Sequence, residues 1–150
     1  NQISKIKIIK KVKIIDNFYK KFFNKKPNFA ILGLNPHNFT TLKKSEEKQI
    51  ISKAIKDLKK LKIRALGPVS PDSSFAIIKK HNFDVMIGMY HDQVLAPFKS
   101  LYNFDAINIT LGLPYLRISP DHGVAENIVG KKIANPASLI ECIKFFNYIN

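Results

Sequence analysis

Apolar side chains at Ile6, Ile9, Val12, Ile15, Tyr19 and Phe22 recur at spacings of three and four, which predicts an amphipathic helix over residues 3–23. The stretch Lys5-Ile-Lys-Ile also fits strand alternation. Lys25-Lys-Pro27 stops the pattern. Short continuous apolar runs follow at Phe29–Leu34, Ile63–Leu66, Val85–Met89 and Ala106–Ile109, with a last extended piece at Leu116–Ser119. The run at Phe29–Leu34 suggests a buried strand of a parallel sheet, and the later runs further strands. Between them the period returns to that of a helix. Ser45 opens one as N-cap with early acids, and Ile50, Ile51, Ala54, Ile55, Leu58 and Leu61 form its apolar stripe. Gly67-Pro68 is expected to close the second strand, and Ser70-Pro71-Asp72 to open a short helix ending near His81-Asn82. Val94–Leu101, Asp121–Val129 and Pro136–Tyr148 read as further helices, the last with Leu139, Ile140, Ile143 and Phe146 inward. Alternation of strands and helices points to an α/β fold with a parallel-rich sheet flanked by helices. The whole of 1–150 reads as a single α/β unit, with residues 1–27 a helix leading into it.

The bulk numbers narrow the function classes. A chain of 150 residues with 45% hydrophobic and 24% charged residues is long enough for one domain with a real core. Its net charge of +14 would ordinarily suggest a polyanion partner. Only Arg64 and Arg117 are arginines, however, and the lysines are spread over helix faces without interleaved aromatics. A solvated basic surface is therefore the preferred reading, and nucleic acid is not an expected partner. Cys142 is the only cysteine and lies in an apolar helix pattern, which fits a reducing cytoplasm and an inert core position. No run has the length of a membrane span, and the lysine-rich start lacks the apolar core of a signal peptide. The chain starts with Asn, which suggests a fragment or a processed product.

The candidate chemistry sits where apolar runs stop. Gly88-Met-Tyr-His-Asp-Gln93 follows a strand and puts three polar side chains at its carboxyl edge, where α/β sheets bind ligands. His37 ends another run in the same manner. Two imidazoles at adjacent strand ends can share a divalent ion, but their spacing is no local metal motif, and lone histidines are more often structural. Asp92 neighbours His91, yet on an extended chain the two would point to opposite sides. Lys99 and Arg117 lie in or beside apolar stretches and could hold an anion, Arg117 by the bidentate grip of guanidinium; a surface strand position explains it equally well. His81, in a turn, reads as exposed.

Four motifs in order carry a resemblance: Gly33-Leu-Asn-Pro-His37, Gly88-Met-Tyr-His-Asp-Gln93, Asn108-Ile-Thr-Leu-Gly-Leu-Pro114 and Ser119-Pro-Asp-His-Gly123. Over roughly residues 28–149 the chain resembles the C-terminal half of the 4-hydroxythreonine-4-phosphate dehydrogenases of pyridoxine biosynthesis. The Asp-His-Gly-x-Ala element is also similar to the cofactor loop of isocitrate and isopropylmalate dehydrogenases. The resemblance implies a partial fold of that dehydrogenase type, about half of the whole. It implies NAD-dependent, metal-assisted oxidation and decarboxylation of 4-phosphooxy-L-threonine in a homodimer. It also implies His37 and His91 as metal and catalytic residues, with zinc, magnesium or cobalt. Lys99, Asn108 and Arg117 would bind substrate, and the segment holding His122, Gly123, Ala125 and Glu126 would pack on the NAD adenosine.

Two departures stand out. Family members are about twice as long, and their other half carries the third metal histidine and a His-Thr substrate pair, which residues 1–30 cannot replace. The segment after His37, Asn38-Phe-Thr-Thr-Leu, lacks the small Ala-Gly-Glu pattern. Three readings follow: one part of a complete enzyme, an inactive remnant, or a basic polyanion-binding module on the same scaffold.

Overall fold

The strand β1 (Phe29–Leu32) is buried along its whole length. It forms the centre of a three-stranded parallel sheet in the order β2-β1-β3, with β2 at Ala65–Val69 and β3 at Val85–Ile87. Four consecutive apolar residues suit a strand covered on both faces. Phe29 and Ile31 point to one face and Ala30 and Leu32 to the other, as the two-residue strand period requires. This is a computed structural model, and it describes residues 3–36, 45–78, 80–103 and 105–149.

Helices α1 (Lys5–Phe23) and α2 (Ser52–Lys60) cover the first face. α1 starts where the Ser4 hydroxyl accepts from the Lys7 backbone N–H at 3.3 Å. It ends at Asn24 in the left-handed region, φ 48°. Its buried stripe runs through Ile8, Val12 and Asp16. Ile6, placed inside by the sequence pattern, is 74% exposed. Two apolar registers compete on this helix, and the one that meets Ile51, Ala54, Ile55 and Leu58 wins. Asp16 is buried but ion-paired with Lys20 one turn on. Before α2 the helix is π-wound over Glu47–Ile51, and Ser45 caps it by accepting from the Lys48 N–H. The α2 stripe is as expected except for Leu61, which is exposed beyond the helix end. On the opposite face, Ala30, Leu32 and Val69 pack with Ile77, Phe83, Met86 and Val94.

β2 does not stop at Gly67-Pro68. The strand passes through both residues, and its pairing with β1 shifts register between Ala30 and Leu32. A proline tolerated at such an irregularity need not end a strand. Gly67, at φ 145°, is required there, since a Cβ would lie 2.3 Å from the Ile31 carbonyl oxygen. The helix expected from residue 70 to His81 shrinks to one turn, α3 (Ser74–Ile77). His81 is exposed as expected and stacks on Phe83.

The chain divides into two compact units, residues 1–95 and 96–150. The helix α4 (His91–Tyr102) contains the boundary. The second unit holds an antiparallel ribbon, β4 (Ile107–Thr110) with β5 (Arg117–Pro120), and α5 (Ala137–Ile149) packed on it. α5 faces inward through Ser138 and Cys142, whereas Leu139, Ile140, Ile143 and Phe146, expected inside, are about half exposed. α5 is apolar nearly all round, so periodicity alone does not choose its inner face. The Ser138 hydroxyl does: it donates to the Ala106 carbonyl and accepts from the Asp121 N–H at 2.9 Å. The expected helix at 121–129 reduces to a single 3-10 turn, Glu126–Ile128.

Candidate functional site

In the first unit the carboxyl edge of the sheet is built from the exits of β1 and β3. The β1 exit is held at every backbone step. The Gly33 N–H donates to the Val69 carbonyl at 2.8 Å. The Leu34 and Asn35 N–H groups both donate to Glu47 Oε1, at 3.0 and 2.8 Å. The Pro36 carbonyl accepts from the Ser70 hydroxyl at 2.9 Å. Burial pushes the Glu47 carboxyl pKa up, but N–H groups of Asn35, Glu47 and Leu34 and the Ser45 hydroxyl outweigh it and hold it below the ordinary value. The next residue in the chain is His37, which lies outside the described residues, as does the segment after it.

The β3 exit differs from the sequence reading. His91 does stand at the carboxyl edge, but it opens α4 instead of ending an extended strand. In a first helical turn neighbouring side chains can meet. Asp92, expected to point away, brings Oδ1 to 2.6 Å from His91 Nδ1. A carboxylate on Nδ1 is the usual arrangement behind a metal-bound imidazole, and it leaves Nε2 as the ligating atom. The His91 side chain is 77% exposed, so that nitrogen can reach an ion. His91 thus fits the role of one ligand. Among the described residues no three His, Cys, Asp or Glu side chains cluster to hold a metal.

The second unit carries the anion-binding candidates. Residues alternate across the β4–β5 ribbon, so Ile107, Ile109 and Ile118 share one face while Asn108, Thr110, Arg117 and Ser119 share the other. Asn108 lies opposite Ser119, and Thr110 opposite Arg117. Arg117 Nη1 donates to Thr110 Oγ1 at 2.9 Å, which aims an otherwise long and mobile guanidinium along the polar face. Lys99, on α4, is tied to Asp121 just beyond β5, Nζ lying 3.5 Å from the carboxylate. The ribbon therefore brings Asn108 and Arg117 together, with Lys99 anchored at the β5 end.

The segment expected to face a nucleotide is an exposed loop. His122 Nδ1 is 3.1 Å from the Gly123 carbonyl, Ala125 adopts φ 51°, and Glu126 starts the 3-10 turn. A Cβ added at Gly123 would meet nothing within 4 Å, so a flat ring can lie against this backbone. Glu126 offers acceptors for hydroxyl or amino hydrogens.

Sequence reasoning counted Glu47 among the early acids of a helix and Gln93 among the polar groups at the β3 exit, and gave no role to Thr110, Asp121 or Ser138. No sequence signal marks the bracing that Glu47, Gln93 and Ser138 supply.

A family model described as pyridoxal phosphate biosynthetic protein PdxA matches residues 1–146. The 4-hydroxythreonine-4-phosphate dehydrogenase of Sulfurihydrogenibium sp. (strain YO3AOP1) is 48% identical over 146 residues, covering 96% of this chain and 45% of that protein. A solved 4-hydroxythreonine-4-phosphate dehydrogenase from Klebsiella pneumoniae superposes with a TM-score of 0.81 at 30% identity, covering 99% of this chain and 45% of the other. A terephthalate 1,2-cis-dihydrodioldehydrogenase from Burkholderia xenovorans LB400 shares the fold at 21% identity and a TM-score of 0.72. The chain spans about half the length of the curated relatives it matches. No described helix is long and apolar enough to cross a membrane.

Proposed function

The chain belongs to the PdxA family of pyridoxal phosphate biosynthetic proteins, and from that premise we propose that it is one part of an NAD-dependent, metal-assisted 4-hydroxythreonine-4-phosphate dehydrogenase. The substrate is 4-phosphooxy-L-threonine. Its secondary alcohol is oxidised while NAD is reduced, and loss of carbon dioxide leaves 3-amino-2-oxopropyl phosphate. The complete site requires the other half of the family fold and, in this reading, a second copy of the protein. The observation that carries the proposal is the polar face of the β4–β5 ribbon, where Arg117 and Asn108 stand together.

Each residue has a task that its surroundings allow. Arg117 grips phosphate or carboxylate with the guanidinium nitrogens that Thr110 does not occupy. Asn108 orients a neighbouring polar group of the substrate. Lys99 adds positive charge, moderated by Asp121. His91, oriented by Asp92, would hold the cation with His37. A divalent cation held by His91 and His37 would supply charge that lowers the pKa of the substrate hydroxyl, and NAD held against the 122–126 loop would supply the hydride acceptor.

Calorimetric titration of the chain with 4-phosphooxy-L-threonine tests the anion grip. Arg117→Ala should weaken binding by roughly ten- to a hundredfold, the scale of a lost charge-assisted pair. Equal affinity in the variant would remove Arg117 from the site.

One observation favours a second reading. Twenty of the 25 Lys and Arg residues, but only seven of the 11 acids, lie in residues 1–95. A basic module for polyanions would show this asymmetry. It would be retained on heparin with a steep salt dependence.

A further inference from the structure

The motif Tyr90-His-Asp-Gln93 ends in a residue that the chemistry above does not use. Gln93 is only 7% exposed, although it follows two exposed neighbours in the first turn of α4. Both ends of its amide are engaged. Oε1 accepts from the Met89 N–H at 2.7 Å, and Nε2 donates to the Gly33 carbonyl at 2.7 Å. The partners fix the amide's orientation, since an N–H needs the oxygen and a carbonyl needs the nitrogen. Met89 is two residues after β3 and two before His91. Gly33 is the first residue after β1 and four before His37. One buried side chain thus joins the backbones of the two exits that lead to the two histidines.

The packing makes this joint tight. A Cβ added at Gly88 would lie 2.9 Å from Val94 Cγ1 and 3.4 Å from Gln93 Oε1, so glycine is what lets the first turn of α4 seat on the β3 exit. Gly33 is fixed on its other side by Val69, and Leu34 and Asn35 by Glu47. Among the described residues no buried side-chain nitrogen or oxygen lacks a partner. Removing the amide would leave a carbonyl and an N–H without their bonds, at the two places where the strands hand over to the site.

We propose that Gln93 is a positioning residue that couples the β1 and β3 exits and so fixes where His91 stands relative to the end of β1. This rests on the reading of His91 as metal-facing, but the coupling itself can be measured without metal. Hydrogen exchange is followed on the metal-free chain and on Gln93→Leu, which keeps the side-chain bulk and loses both bonds. If Gln93 couples the exits, the Asn35 amide, which donates to Glu47 one peptide beyond the group that Gln93 bonds, exchanges at least tenfold faster, while core amides such as Ile31 and Leu58 keep their rates. If only Met89 and Leu34 accelerate, or if all amides accelerate alike, Gln93 is a local or merely structural contact and the proposal is overturned. Should Gln93→Leu fail to fold, Gln93→Glu serves, since it keeps an acceptor for Met89 and loses the donor to Gly33. Zinc titration gives the second readout: at least tenfold weaker binding in the folded variant supports the proposal, and equal affinity overturns it. If the unmodified chain binds zinc no better than His91→Ala, the metal reading has failed, and the exchange rates alone decide the coupling.

Discussion

The two units of this chain are built on opposite plans. Among the described residues, 1–95 contain all but two of the buried hydrophobic side chains, Ala106 and Cys142 being the exceptions. Residues 96–150 contain most of the exposed large ones, among them Tyr115, Val124, Val129, Ile133, Ile143 and Tyr148. Charge runs the other way, with the excess of lysine confined to the first unit. The first unit therefore has a core under a solvated basic surface. The second has an α5-on-ribbon layer whose remaining apolar surface faces outward. Small antiparallel layers of this size seldom stabilise themselves. The comparison teaches that apolar content alone does not make a core, because it counts only where a second layer covers it.

The largest expected effect separates the units directly. Phe29→Ala, at the centre of the covered sheet, should cost about 3–5 kcal/mol in urea unfolding. Ile143→Ala, on the open side of α5, should change stability by no more than about 0.5 kcal/mol. Equal costs would mean that the second unit has a core after all. Next comes Glu47→Gln, which weakens two backbone bonds at the β1 exit and should cost about 1–3 kcal/mol. It also carries a pH signature. The folded pKa of Glu47 is depressed, so between the folded and unfolded values the unfolded chain binds more protons. Its contribution is fully present above the unfolded value and is lost as pH falls through the folded one. The variant's stability should therefore lose less on acidification than that of the unmodified chain. Ser138→Ala, the corresponding brace in the second unit, should cost about 1 kcal/mol. Smallest in stability, yet informative, is Ile143→Glu: it should leave unfolding nearly unchanged. If the unmodified chain self-associates in gel filtration through the open side of α5, the variant should do so less, and equal self-association would take α5 out of that contact.

Much of the first unit was legible, because long periodic stripes and short apolar runs translate directly into helices and buried strands. α1, β1, α2 and β3 stand within a few residues of expectation. The failures have specific physics. Gly67-Pro68 read as a stop, because a sequence does not show that the strand carries a register shift there. His91 read as a strand end, because the polar first turn of its helix precedes the apolar positions, from Val94 on, that announce it. α5 was placed with the wrong side inward, because an all-round apolar helix is oriented by one serine hydroxyl. For the candidate site, the motifs pointed to Asn108 and His91 and the cations set in apolar stretches to Lys99 and Arg117, and the family that matches is the one those motifs resemble. Sequence could not show which polar groups do the bracing. Glu47, Gln93 and Ser138 are recognisable only once burial and partners are known.

The lone cysteine has a practical consequence. Cys142 is buried on the inner side of α5, and burial pushes its thiol pKa up, so it reacts slowly with alkylating reagents. The unmodified chain is therefore nearly silent toward thiol-directed probes. A cysteine introduced at exposed Ile6 and another at exposed Val124 would carry a donor and an acceptor dye, one on each unit. The distance between the two dyes, and any response of it to an added small molecule, then becomes an optical signal against a dark background.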